Sequence, residues 1–268
     1  MEIDFLLPAS LFLIITLAIL FCEKIEKRMR IILEDKKLSI REIILMIASM
    51  GVMVAVVALM PSYAIQILFI AAYSYLLLIF TYVLSGKWLL AVFPPIVFVS
   101  IYFLTRDISV MNIFAALFAI MIITYLNSLF SWRITWAFAM LLTVMDVIQV
   151  FWTGYMGEAA RKMMSLYLPV VITFPTYPSF RFTALGLGDV FLSGLLSAQT
   201  ASKYGRKAGF LIAAVISIIF FAFEIFMLNT DIGIINFPAT VIVLSGWLLG
   251  MGFIFLKRKR STLLRGAT

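Results

Sequence analysis

The sequence predicts an all-α, polytopic membrane protein, and three observations predict it. First, 64% of the 268 residues are hydrophobic and only 13% are charged. A soluble domain carries about 45–50% apolar and about 25% charged residues, so this chain cannot cover a water-facing surface, and the soluble, disordered, collagen-like and disulfide-stapled classes are excluded. Second, the apolar residues gather into nine runs, each near the roughly 20 residues that a helix needs to cross a bilayer. Third, Lys and Arg fall almost entirely on one side of those runs.

The runs are 5–22, 43–60, 63–84, 88–104, 110–130, 134–152, 182–199, 208–228 and 234–256. Met1-Glu2-Ile3-Asp4 lacks the basic opening of a signal peptide, so the first run reads as a retained span. Residues 23–42 form a charged, solvated stretch. Pro61-Ser62 and Ser85-Gly86-Lys87 read as tight turns between antiparallel helices. The fourth run contains Pro94-Pro95, which neighbouring helices in a membrane can tolerate. Residues 153–181 form a long connection with Pro169, Pro175 and Pro178. No barrel-like alternation appears, so the spans read as helical. The chain is expected to form one transmembrane domain, 1–268. Within it, 1–130 is a five-span scaffold, and 131–268 holds the last four spans and the functional residues.

Nine crossings place seventeen of the 21 Lys and Arg on one side and four (Arg106, Arg161, Lys162 and Arg181) on the other. Basic residues mark the cytoplasmic side. The N-terminus and the 153–181 loop are therefore expected outside, and the C-terminus in the cytoplasm. The net charge of +8 reads as this bias, not as a nucleic-acid surface. With no histidine and one cysteine, Cys22, the chain offers no intramolecular disulfide, no His-based metal site and no Ser-His-Asp triad. No metal or cofactor is expected.

Three acids fall within the spans: Asp146, Asp189 and Glu224. A carboxylate at the bilayer centre costs at least about 2.5–3.5 kcal/mol on insertion scales, so such residues face protein or water and mark function. The crossing order puts Asp146 and Asp189 at matching depth, roughly 10 Å below the outer edge at 1.5 Å per helical residue. Two carboxylates held close share a proton. One can then act as general base on a water while the other, protonated, polarises a carbonyl. The plainer reading is a pair of buried polar contacts, or a transporter's proton relay.

Asp189 ends the string Gly186-Leu187-Gly188-Asp189. On a helix, Gly186, Asp189, Ser193 and Ser197 would share one face, a small-residue stripe that admits a close neighbour. The ninth run opens with Asn236-Phe237-Pro238-Ala239-Thr240, where the proline sits at or near the first turn. Glu224, near the outer end of its run, reads as interfacial or structural. Arg106-Asp107 reads as a surface ion pair worth little.

These residues, in this order, resemble the presenilin and signal peptide peptidase family of GxGD intramembrane aspartyl proteases. An Asp in the sixth span, GxGD in the seventh and Pro-Ala in the ninth of nine carry the resemblance, and Gly186 to Gly194 is particularly similar. The resemblance implies that Asp146 and Asp189 are the catalytic pair. It implies that Gly186, Leu187 and Gly188 support them, and that Pro238, Ala239 and Thr240 stand for the family's Pro-Ala-Leu motif. Two positions depart: Met145 where the family has Tyr, and Thr240 where it has Leu. The family's long self-cleaved loop is missing, which implies an uncleaved chain. The compact loops are similar to those of a microbial, archaeal-type member in a prokaryotic plasma membrane.

The implied substrate is a transmembrane helix, of a protein or a signal peptide, hydrolysed within the bilayer among its lipids after local unwinding. In the outer loop, Val170, Val171, Ile172, Thr173 and Phe174 form a β-branched, apolar run before Pro175. It reads either as a strand that pairs with extended substrate, or as an interfacial anchor with Tyr167, Tyr177 and Phe180. Two other activities stay open at this point. A proton-coupled transporter would use the aspartates as a relay, although no internal repeat of the halves is evident. A prepilin- or preflagellin-type peptidase shares GxGD but typically places its other aspartate at a cytoplasmic edge.

Overall fold

The structure is a computed structural model that describes residues 2–32, 37–105, 107–179, 181–230 and 237–265. Asn236, Arg106, Phe180 and part of the charged 23–42 stretch lie outside the described residues. The chain is a helical, multi-pass membrane protein. Its elements are α1 (Leu6–Ile32), α2 (Ile40–Leu59), α3 (Ser62–Ser85), α4 (Trp88–Leu104), α5 (Ile108–Leu129) and α6 (Trp132–Ile148). A π-helical segment (Gln149–Thr153) continues α6. Then come α7 (Tyr155–Ser165), β1 (Val171–Pro175), β2 (Phe182–Gly186), α8 (Leu187–Tyr204), α9 (Arg206–Asn229) and α10 (Ala239–Arg265).

Among the described residues, seven helices are long and apolar enough to cross a membrane: α1, α2, α3, α5, α6 with its π-helical extension, α9 and α10. The shorter α4 is a 17-residue apolar helix that runs unbroken through Pro94 and Pro95. Helix α8 falls outside the set because it is the most enclosed element. Helices α1, α5, α6, α9 and α10 pack around it, and almost every residue from Leu187 to Thr200 is buried. A helix that touches protein on every side has no need of a lipid-like surface, so it keeps Ser193, Ser197, Gln199 and Thr200.

Lipid tails are as apolar as leucine, so the hydrophobic effect contributes little to helix association in a bilayer. Close backbone approach and interhelical hydrogen bonds do the work. At Gly194 a Cβ would overlap the Ile123 side chain of α5. At Gly246 of α10 it would lie 3.0 Å from Ile216 Cα of α9. Gln199 Nε2 donates to Asn127 O, Asn127 Oδ1 and Phe130 O at 3.0–3.1 Å, and Trp247 Nε1 donates to Thr200 Oγ1 at 3.1 Å. Each bond of this kind contributes about 0.6–2 kcal/mol.

Local sequence sets the helix starts. Asp4 accepts from Leu6 N and Leu7 N ahead of α1. Ser39 and Glu42 form a reciprocal capping box on α2. Asp107 accepts from Ser109 N at 2.7 Å and so caps α5.

Two predicted spans begin too early. The run 182–199 is expected to be helical throughout, but its first five residues form β2, and the helix starts at Leu187. Gly186 therefore closes a strand and sits at the N-cap of α8; it does not share a helical face with Ser193 and Ser197. In the last span the helix starts at Ala239, so Pro238 precedes it. The 153–181 connection is more ordered than an open loop. It holds the amphipathic α7 and the β1–β2 hairpin, paired antiparallel with Thr173 opposite Ala184.

Candidate active site

Asp146 lies two residues from the end of α6, and the π-helical segment follows it. Such π-bulges are frequent at functional sites. This one is anchored by Gln149, whose Nε2 donates to Gly51 O of α2 at 3.1 Å. Met145 packs its Cε methyl against Gly51. Asp146 itself is 5% exposed, and its Oδ2 accepts from Thr240 Oγ1 at 2.6 Å. The Thr240 backbone amide faces the same carboxylate.

Thr240 reaches Asp146 because Pro238 lets α10 begin at the right place. Pro238 O accepts from Val241 N at 3.1 Å, which opens the first turn. Pro238 has no N–H to leave unpaired. Phe237 stacks obliquely on Phe223 of α9, centroids 4.7 Å apart, and Ala239 contributes to the cavity wall.

Asp189 is the third residue of α8 and 7% exposed. It lies within electrostatic reach of Asp146. A Cβ on Gly186 would stand 3.4 Å from Asp189 Oδ2, so glycine leaves that side of the carboxylate open. Leu187 is buried and donates its N–H to Val170 O at 2.9 Å, which ties the strand-to-helix junction to the residue just before β1. Gly188 lies against Phe191, a Cβ there being 3.8 Å from the ring. The Ser193 hydroxyl donates to Asp189 O at 2.7 Å and the Ser197 hydroxyl to Ser193 O at 2.8 Å, so both are satisfied within the helix.

A cavity of about 320 Å³ opens beside Asp189, within the size range of small-ligand pockets. Ala184, Leu185 and Gly186 of β2 form one wall, and Phe220, Phe223 and Glu224 of α9 form another. Met156, Gly157 and Ala160 of α7 add a third. Asp146 does not line it.

The β-branched run is a strand from Val171 onward, but it is not where an added strand has room. One edge pairs with β2. On the other, Asn112 of α5 behaves as a strand mimic: its Nδ2 donates to Thr173 O at 2.7 Å and its Oδ1 accepts from Thr173 N at 3.0 Å. Ile172, Thr173 and Phe174 line a different cavity, of about 790 Å³, together with residues of α1 and α5. Among the described residues, the unfilled edge belongs to β2. Backbone groups alternate along a strand, so with Thr173 turned away from β2, its partner Ala184 is turned away from β1. That edge sits in the wall of the cavity holding Asp189.

Sequence reasoning missed β2, Asn112 and the Thr240 hydroxyl. The last was signalled only as a departure from the family motif. It also missed a second acidic contact. The Thr183 hydroxyl donates to Asp4 Oδ2, and Glu224 lies within electrostatic reach of Asp4. Among the described residues no group of three or more Cys, Asp or Glu is arranged to hold a metal ion. Comparison of the chain with protein-family models, curated proteins and solved structures returns no match.

Proposed function

We propose that this chain is an intramembrane aspartyl endopeptidase that hydrolyses peptide bonds of transmembrane helices with Asp146 and Asp189. On this reading α8 and the short α4 also cross the bilayer, which makes nine spans. The N-terminus lies outside and the C-terminus in the cytoplasm of a prokaryotic cell. One observation carries the reading. Two buried carboxylates from different helices come within electrostatic reach of each other, and a third helix, α10, delivers a hydroxyl to one of them. A transporter relay offers no reason for a strand edge beside one carboxylate.

The chemistry follows from the pair sharing one proton. The ionised member takes a proton from a water, whose oxygen bonds to the scissile carbonyl carbon. The protonated member donates to the carbonyl oxygen, giving a neutral gem-diol. The pair then gives its proton to the amide nitrogen, the C–N bond breaks to release the amine, and a gem-diol hydroxyl returns its proton to the pair, leaving a carboxylic acid and the singly protonated pair. The Thr240 hydroxyl fixes the orientation of Asp146. A helical peptide bond is shielded by its own hydrogen bonds, so the substrate must unwind. The free edge of β2 supplies partners to an extended segment by β-augmentation.

The test is direct. The detergent-purified protein is incubated with a transmembrane peptide, and Asp146→Asn and Asp189→Asn are compared with wild type. Cleavage is expected in wild type and a loss of at least about 10³-fold in each variant, the scale of removing an acid–base group. Cleavage at the wild-type rate by either variant sinks the dyad. A peptide mimic with a central hydroxyl should inhibit.

A further inference from the structure

The cavity beside Asp189 contains a carboxyl that the proposed chemistry does not use. Glu224 on α9 is 8% exposed, lines the cavity, and leaves its Oε2 buried without a hydrogen-bond partner. An unsatisfied buried acceptor costs about 1–3 kcal/mol, and more when it is charged. Native structures keep few of them.

The surroundings define what would satisfy it. Behind it stands Asp4, whose Oδ1 accepts from Leu6 N and Leu7 N and whose Oδ2 accepts from the Thr183 hydroxyl, a hydroxyl that also lies within hydrogen-bond reach of the Glu224 carboxyl. Asp189 lies on the same cavity. No lysine or arginine lines the cavity among the described residues. Arg181 is exposed and pairs with Glu2 at 3.9 Å. Lys162 is occupied by the carbonyls of Ala58 and Met60 at the end of α2. Two acids, Glu224 and Asp189, thus line one mostly apolar space, with Asp4 buried behind Glu224, and among the described residues no cation lines it. The terminal torsion of a glutamate is broad, so a small rotation presents Oε2 to that space.

We infer that Glu224 forms a subsite for a positively charged side chain, lysine or arginine, of the substrate helix, held in the cavity a few residues from the scissile bond. The inference rests on the reading of the chain as a protease of transmembrane helices. The ammonium or guanidinium supplies the missing donor, and its charge complements the acids around the cavity. Its aliphatic stem lies along Phe220 and Phe223.

The test uses a panel of transmembrane peptides with a single lysine at each of the six positions either side of the cleaved bond, each matched by a peptide with methionine there. Two ratios are read for each pair: kcat/KM for cleavage by wild type and by Glu224→Gln, and affinity for Asp146→Asn with and without Glu224→Gln. At one position lysine is expected to be favoured about tenfold, the scale of a charge-assisted hydrogen bond. Glu224→Gln, which keeps size and removes charge, should return that ratio to about one. Both peptides meet the same preparation, so a partly unfolded variant does not move the ratio. No lysine preference at any position, or a preference that survives Glu224→Gln, overturns the inference. If no peptide is cleaved but the affinity ratio still depends on Glu224, the subsite stands and the proteolytic reading fails. Cleavage without a Glu224-dependent ratio sinks the subsite alone.

Discussion

Thr240 is the most informative single residue in the candidate site. The Pro-Ala-Leu motif that residues 238–240 resemble has leucine at this position, and a leucine could not donate to Asp146. The 2.6 Å bond from its hydroxyl is short, as expected for a donor to a carboxyl group. Thr240→Val keeps the shape and removes the donor. It is expected to lower kcat about tenfold with little change in KM, because an orienting bond acts on the reacting group and not on the bulk of the substrate. Thr240→Ser restores the hydroxyl and should recover most of the rate. Equal rates for the valine and serine variants in a peptide-cleavage assay would remove Thr240 from the mechanism.

At the level of elements, the proteolytic reading makes the hairpin decide how an extended segment is held. Asn112 occupies the centre of β1's outer edge, so on that reading the substrate uses β2. Ala184 contributes no bond to β1 in the alternation described above, which makes it a selective probe. Ala184→Pro deletes one outward N–H and leaves the ladder residues Thr183 and Leu185 untouched. Cleavage should fall about tenfold, while the melting temperature in detergent stays within a few degrees. A normal cleavage rate would mean that the β2 edge holds no substrate.

These elements also mark the limit of reading the chain as a string. The long apolar runs were legible because lipid-facing surface must be apolar wherever it occurs, and that pattern is local. Phe182-Thr183-Ala184-Leu185-Gly186 is apolar too and merges with the run that follows. Only its pairing with Val171–Pro175, a non-local fact, makes it a strand. Helix α7 was hidden for the opposite reason, since an 11-residue amphipathic helix is too short and too polar to register as a span. The two aspartates stood out because a carboxyl among apolar residues is conspicuous. The hydroxyl that orients one of them did not, because threonine is unremarkable in any helix.

For the whole molecule, the proposed orientation, which nine crossings and their basic residues imply, is measurable. Cys22 is buried and would be replaced by serine, giving a background into which single cysteines are placed. Tyr177 is exposed in the hairpin turn and Lys257 is exposed near the end of α10. A membrane-impermeant maleimide applied to intact cells is expected to label Tyr177→Cys and to spare Lys257→Cys until the membrane is opened. The reverse pattern would invert the proposed topology while leaving the fold intact.

Gly186 ends β2 and caps α8 with no residue between them, and Asp189 follows three positions on. On the proteolytic reading this junction makes the strand edge a ruler. A segment laid along β2 advances about 3.3 Å per residue, against a carboxylate fixed to the same stretch of backbone. Sliding it by one residue turns every carbonyl to the opposite edge; sliding it by two restores the arrangement. When one peptide is cut at more than one bond, mass spectrometry of the fragments should therefore show cuts separated by even numbers of residues.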